Sequence, residues 1–342
     1  MTKALGHERN PTIDAFRGIA ICSVLAYHYT SETAWTGLTH TPAVAQVGRF
    51  GVELFFIISG IAISMTARSS GNAIEFFVKR VARLYPAYLF WMSSTWLFLN
   101  WVGSPIFPHR ILDYIKNITL YSGHHRLVDP SYWSLTPELL FYGFTAVSLA
   151  VFRRHYWLGL VAVTLIGAGI AAAGRTAFAD AAVAAKWMPL FLLGMSAWLL
   201  IYEKRRVGWV CAGVALITLP FGALRYDPAF HPHWAMVAYI GALGGALLMM
   251  LALRIKVVMG PLGWIGLRSY SLYLLHQALG VSTLKMLTRL GAPDWFSLTV
   301  VVLASLGLAH LSFTYIEGPA GMAINRFYKQ LTTARRYPAA SL

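Results

Sequence analysis

Apolar residues in this chain gather in runs about as long as the 20 residues of helix needed to cross a hydrocarbon core. Such runs lie near 13–31, 47–66, 86–103, 136–152, 156–174, 182–202, 207–224, 234–253, 268–288 and 296–316. The pattern predicts an all-α, polytopic membrane protein, a bundle of about ten transmembrane helices. No repeat or linker separates a second folded unit, so residues 1–342 are expected to form one integral-membrane domain with short tails at about 1–12 and 318–342. The longest connection, about 104–135, carries aromatics, histidines and prolines and is expected to fold over the outer mouth of the bundle.

Composition supports the same class. Hydrophobic residues make up 57% of the 342 and charged ones 12%, with a mean hydropathy of +0.58, whereas soluble domains are about a quarter charged. The net charge of +15 raises the question of nucleic acid, but no basic helix or basic patch interleaved with aromatics lies outside the apolar runs. Lysines and arginines sit between the runs instead. With the N-terminus in the cytoplasm, 19 of the 28 basic residues fall on inner segments, in clusters such as Arg153 and Arg154 or Lys204, Arg205 and Arg206. That bias predicts both termini in the cytoplasm. Cys22 and Cys211 lie within apolar runs, without disulfide or metal-ligand spacing. No signal peptide is recognisable, and no metal site is expected.

Polar residues inside the runs are the candidates for chemistry. Arg17 and His28 are eleven residues apart, three helical turns plus about 20°, so they share a helix face about 16 Å apart along the axis. Each alone has a structural explanation, Arg17 reaching headgroups and His28 bonding a carbonyl; together they suit a polar bundle interior. Glu53, in GRFGVELFFIISG (48–60), falls at the depth of His28 and could hold its ring in one tautomer. Ser59 and Gly60 lie deeper, where helix packing is the simpler reading. Arg80 and Arg83 are one turn apart beside Lys79: positive anchoring explains them, and so does a fork for phosphate oxygens. In SYWSLTPELLFY (131–142), Glu138 sits in the first turn of a helix that Thr136 and Pro137 can begin, just after Trp133 and Ser134. His276, in RSYSLYLLHQ (268–277), can line a binding path or make a helix contact. Glu317 is expected to support packing or pair with a cytoplasmic arginine.

Taken in order, Arg-x10-His from Arg17, G-V-E-L-F-F-I-I-S-G from Gly51, R-x-x-R-L-Y-P from Arg80, W-S-L-x-x-E from Trp133 and S-Y-S-L-Y-L-L-H from Ser269 resemble the acyltransferase 3 family over almost the whole chain. The resemblance implies a ten-helix membrane O-acyltransferase taking an acyl group, commonly acetyl, from cytoplasmic acyl-CoA to a carbohydrate hydroxyl at the outer face. The acceptor would be an exopolysaccharide, lipopolysaccharide or glycoside, with no tightly bound cofactor. His28 would match the family's essential histidine, Arg17 its partner, and Arg80 and Arg83 its paired arginines. Glu53 stands where many members carry Asp, and Ile61 where many carry Phe.

Combined with the residue reading, this predicts CoA phosphates on Arg80, Arg83, Lys79 and Arg17, and a pantetheine arm rising through a continuous polar passage. His28 would be the general base, with Glu53 or Glu138 orienting it. Trp133, Ser134, Ser59 and His276 would lie along the substrate path. The alternative is a secondary transporter or flippase using His28, Glu53 and His276 as a proton relay.

Overall fold

The computed structural model describes residues 10–39, 42–104, 107, 110–120, 126–223, 232–255 and 260–336. Part of the charge argument and of the tails, residues 1–9, Lys256 and 337–342, lies outside the described residues, as do 105–106, 108–109 and 121–125 of the long connection. Among the described residues there is no strand, and each of the ten apolar runs falls on helix over most of its length. We label these α1 (Pro11–Thr30), α2 (Gly51–Arg68), α3 (Ala73–Val102), α4 (Leu135–Phe152), α5 (Trp157–Ala172), α6 (Met188–Ile201), α7 (Val207–Ala223), α8 (Pro232–Ile255), α9 (269–289) and α10 (Asp294–Ser312). Three stretches, Ala45–Arg68, Pro130–His155 and Asp294–Thr332, are each long and apolar enough to cross a membrane. Large apolar side chains left exposed on several helices, among them Val147, Ile166, Ile217 and Leu303, suit contact with lipid.

Three runs depart from expectation. Helix α3 starts at Ala73 rather than near 86, so Arg80 and Arg83 stand on the same helix as the apolar run and Pro86 lies inside it. Asn72 caps this start by accepting the Glu75 N–H, and Glu75 pairs with Lys79 at 2.8 Å one turn on, which carries the helix through its polar segment. The run at 182–202 is broken: a short helix, Thr176–Val183, ends at Ala184 (φ 49°) and α6 leaves at 47° to it. Pro189 suits the break, because it stands in the first turn of α6, where no N–H is required of it, and it has none to give a preceding turn. Helix α9 contains a π turn, His276–Val281, at the point where the sequence places a histidine.

Two glycine contacts position the elements that carry polar residues. Helix α1, capped by Asn10 with Pro11 in its first turn, packs against a short helix, Gly260–Leu267. A Cβ on Gly266 would lie 1.7 Å from the Asp14 carbonyl oxygen, and one on Gly18 2.1 Å from that of Leu262, so glycine at both sites permits the contact. Helices α2 and α6 meet in the same way, through Gly60 and Gly194. Ser59, next in the chain, therefore points elsewhere.

Candidate active site

Arg17, Ser59, Arg80, Arg83, Ser134 and Glu138 line one cavity, drawn from α1, α2, α3, α4 and the 3-10 turn Pro130–Ser134. It holds about 720 Å³ of empty space, its open mouth included. Val52, Phe55, Phe56 and Leu84 supply an apolar wall; Tyr142, Tyr270 and Tyr273 supply hydroxyl-bearing rings.

The cavity's charges are matched. Arg17 lies 3.1 Å from Asp14, Arg83 2.9 Å from Glu317, and Arg80 3.7 Å from Glu138. Arg80 also donates to Tyr142 Oη (2.6 Å), whose own hydroxyl donates to Glu138, and the guanidinium lies over the Tyr142 ring, 4.5 Å from its centre. Ser59 Oγ donates to the same Glu138 oxygen at 3.3 Å. Glu317 accepts in addition from Ser271, whose hydroxyl oxygen lies 2.7 Å from that of Ser312. Glu317 thus does pair with an arginine, as expected. One donor is left over: Arg80 Nε is buried without a hydrogen-bond partner among the described residues. Such a group raises the energy of the empty site and favours an acceptor oxygen there.

His28 and His276 stand together, outside that cavity, with ring centres 5.0 Å apart. His28 Nδ1 is 2.9 Å from Glu32 Oε2. Because a carboxylate only accepts, the hydrogen resides on Nδ1, and Nε2 keeps its lone pair. His276 is fully buried; its Nδ1–H donates to the Tyr273 carbonyl at 2.7 Å, and its Nε2 has no partner among the described residues. Two imidazole rings therefore stand together, each with its Nδ1 engaged.

The carboxylate on His28 is thus Glu32, four residues on, rather than Glu53 or Glu138. Glu53 is buried in the first turn of α2, and Glu138 is held in the cavity by Ser59, Tyr142 and Arg80. The i,i+4 spacing was readable, but Glu32 lies just beyond the end of the first apolar run, where the chain leaves α1. Lys79 stays out of the cavity, tied to Glu75, the Ser69 carbonyl (3.0 Å) and Ser70. Trp133 packs against Trp187 and Phe56, at 5.0 and 6.3 Å between ring centres, and braces the wall rather than lining it.

Among the described residues, Tyr273 stands between the cavity and the histidine pair. Its ring lines the cavity on one side and lies 5.3 Å from the His276 ring on the other. Its hydroxyl donates to the Ser131 carbonyl at 2.6 Å and is 2.6 Å from Ser134 Oγ, and Phe55 packs on its edge at 6.2 Å. Asp129, which sequence reasoning passed over, secures this wall. It accepts from the N–H and hydroxyl of Ser131 and, at 2.7 Å, from the N–H of Ala278 in the π turn. Tyr132 donates to the carbonyl of Leu274 at 3.0 Å. Residues 274 and 278 would pair in an unbroken α-helix, and here a loop side chain answers each of them.

The acyltransferase domain profile matches residues 10–314, most of the chain. The chain belongs to this acyltransferase family. Among relatives of this family member, nodulation protein 10 of Rhizobium leguminosarum bv. viciae is 30% identical over 197 residues, covering 49% of this chain and 52% of that protein. The exopolysaccharide production protein ExoZ of Rhizobium meliloti is 28% identical over 316 residues, 86% and 93% of the two chains. The peptidoglycan O-acetyltransferase OatA of Listeria monocytogenes is 24% identical over 369 residues, 90% of this chain and 55% of that protein. The matched region is thus about half the length of the first and third of these and nearly all of the second. No solved structure matches the chain.

Proposed function

We propose that the protein is an O-acyltransferase of the bacterial inner membrane, one ten-span bundle with both termini in the cytoplasm, which moves an acyl group, in the simplest case acetyl, from acyl-CoA to a carbohydrate hydroxyl at the outer face. The observation that carries this reading is His28, oriented by Glu32 and paired with His276, whose ring meets the Tyr273 wall of a cavity that gathers Arg17, Arg80 and Arg83. Family membership and the carbohydrate-linked names of relatives such as ExoZ and OatA support the reaction class and the acceptor.

In this reading the thioester enters the cavity and Tyr273 turns aside to bring it to the histidines. His28 Nε2 takes the proton from the acceptor hydroxyl as its oxygen attacks the thioester carbonyl. Glu32 stabilises the imidazolium that forms. Collapse of the tetrahedral intermediate breaks the C–S bond, and the proton passes from His28 to the departing thiolate. A well-placed base of this kind contributes about 10² to 10⁴ in rate. The arginines supply a positive field for the donor in a site partly shielded from water.

The test is mass spectrometry of surface glycans from cells with the protein, without it, and with His28→Ala at matched abundance. Loss of the same ester-linked acyl group in the deletion and the substitution is expected; an unchanged glycan profile in both overturns the reading. A transporter or flippase gains nothing from binding acyl-CoA. Protection of the purified protein by acetyl-CoA against thermal unfolding therefore separates the enzyme from the proton-relay alternative.

A further inference from the structure

A second recess opens where three connections converge: the end of α2 with residues 68–74, the α4–α5 turn at 153–156, and the α6–α7 turn at 202–205. With its mouth it encloses about 2160 Å³. Arg68, Arg153, Arg154, His155 and Arg205 line it, with Glu203 as the single carboxylate among its lining residues. Glu203 is already engaged, accepting from Trp198 Nε1 at 3.0 Å and lying 3.4 Å from Arg205. Arg68, Arg153 and Arg154 have no carboxylate partner among the described residues.

The two sites differ in charge balance. In the cavity three guanidinium groups meet three carboxylates, Asp14, Glu138 and Glu317. In the recess four meet one. A ligand carrying several phosphate charges is therefore held by the recess, where positive charge is in surplus, and less by the cavity, where it would compete with carboxylates in place. Basic loops orient a chain in a membrane, but orientation does not require three of them to face one hollow. Arg153 moreover adopts φ 49°, a conformation in which glycine or asparagine is at ease and arginine is strained.

Recess and cavity also lie along the same helices. Helix α2 lines the cavity as far as Ala62 and the recess from Ala67; α4 does so as far as Tyr142 and from Leu149. At the rise of an α-helix these gaps are about 8 and 10 Å, short enough for a flexible arm to bridge.

We infer that the recess is the site for the phosphate groups of acyl-CoA, the 3′-phosphate and the diphosphate, and that the cavity receives only the acyl-bearing arm. This rests on the acyltransferase reading above and moves the phosphates away from Arg80 and Arg83, which then guide the arm. An anionic phospholipid headgroup presents the same phosphate chemistry, and the experiment separates the two.

Purified protein in discs of zwitterionic lipid, and in parallel in discs containing phosphatidylglycerol, is titrated with acetyl-CoA, dephospho-CoA and adenosine 3′,5′-bisphosphate. The wild type is compared with an Arg153→Gly/Arg154→Gln double variant, in which glycine suits the turn, and with Arg68→Gln. The expected result is that wild type binds acetyl-CoA at least tenfold more tightly than dephospho-CoA, that the bisphosphate competes, and that both variants lose tenfold or more in acetyl-CoA affinity with unchanged melting temperature. Wild-type binding that the variants leave unaltered overturns the recess assignment alone, as does an effect seen only in discs containing phosphatidylglycerol. Failure of the wild type to bind acetyl-CoA at all removes the underlying acyltransferase reading, and this inference with it.

Discussion

His28 owes its usable lone pair to one neighbour. Glu32 fixes the hydrogen on Nδ1 at 2.9 Å, so Glu32→Gln, which can present an amide N–H to the ring instead, populates the wrong tautomer. In a glycan-acylation assay this substitution is expected to lower turnover, by less than the 10²- to 10⁴-fold of His28→Ala, whereas Glu53→Gln acts without touching that hydrogen bond. Tyr273 is the second decisive residue. Tyr273→Phe keeps the ring but removes the hydroxyl that binds Ser131 and Ser134, freeing the wall between cavity and histidines. Faster reaction of the bound thioester with water, measured as release of free CoA without acceptor, is the expected outcome; unchanged release argues against a passage through this ring. Neither role is readable from the sequence, although Tyr273 lies within S-Y-S-L-Y-L-L-H. Glu32 lies past the end of an apolar run and Tyr273 is one tyrosine among 17.

At the scale of elements, glycine contacts and a helix defect do the positioning. Gly60 was read as a packing residue, and a Cβ there would meet the Phe191 carbonyl oxygen at 2.1 Å, with Gly194 set equally close to Ile57. Gly60→Ala or Gly194→Ala forces the two helices apart and is expected to lower stability by about 1–3 kcal/mol, seen as a lower melting temperature in detergent. Ser59, the other half of the pair, faces the cavity instead, because adjacent helical residues point about 100° apart. Glu317 joins three elements by accepting from Arg83 on α3 and Ser271 on α9 just after α10 ends. Glu317→Ala leaves both donors without it and is expected to cost about 1–3 kcal/mol. The π turn at His276 was not foreseeable, because its hydrogen bonds are completed by Asp129 and Tyr132, some 140 residues earlier in the chain.

For the molecule as a whole, the attachment of the 126–134 segment to α9 links pH to stability. Burial raises the Asp129 carboxyl from its ordinary range to about 6, against the opposing pull of its hydrogen bonds from Ser131 and Ala278. An acid raised in the folded state binds its proton more tightly there than in the unfolded chain. Its stabilising contribution is therefore complete below about 4 and is lost as pH rises through about 6. Wild-type melting temperature, corrected for the other carboxyl groups, is expected to fall between about pH 4 and pH 6. Asp129→Asn flattens that part of the curve while weakening the contact to Ala278, whose N–H the amide nitrogen cannot accept. A curve of the same slope in the variant would assign the pH dependence elsewhere.

Helical class, membrane character and family membership were available from the chain alone, because apolar run length and ordered polar motifs are local properties that survive without knowledge of packing. Arg17, Arg80 and Arg83 were expected together at one mouth, as polar residues near apolar helices turn toward one another. Ser134 and Glu138 were expected beside His28, and only the packing of the helices puts them with Ser59 in the arginine cavity. Which carboxylate serves which cation was decided only in three dimensions. Ion pairs and hydrogen bonds form over 3 Å, and helix rotation, the extension of α3 through Arg80 and the bend before α6 settle positions at that scale. The division of charge between a matched cavity and a basic recess belongs to the same class of fact, since it arises from three loops meeting in space and from no one segment of sequence.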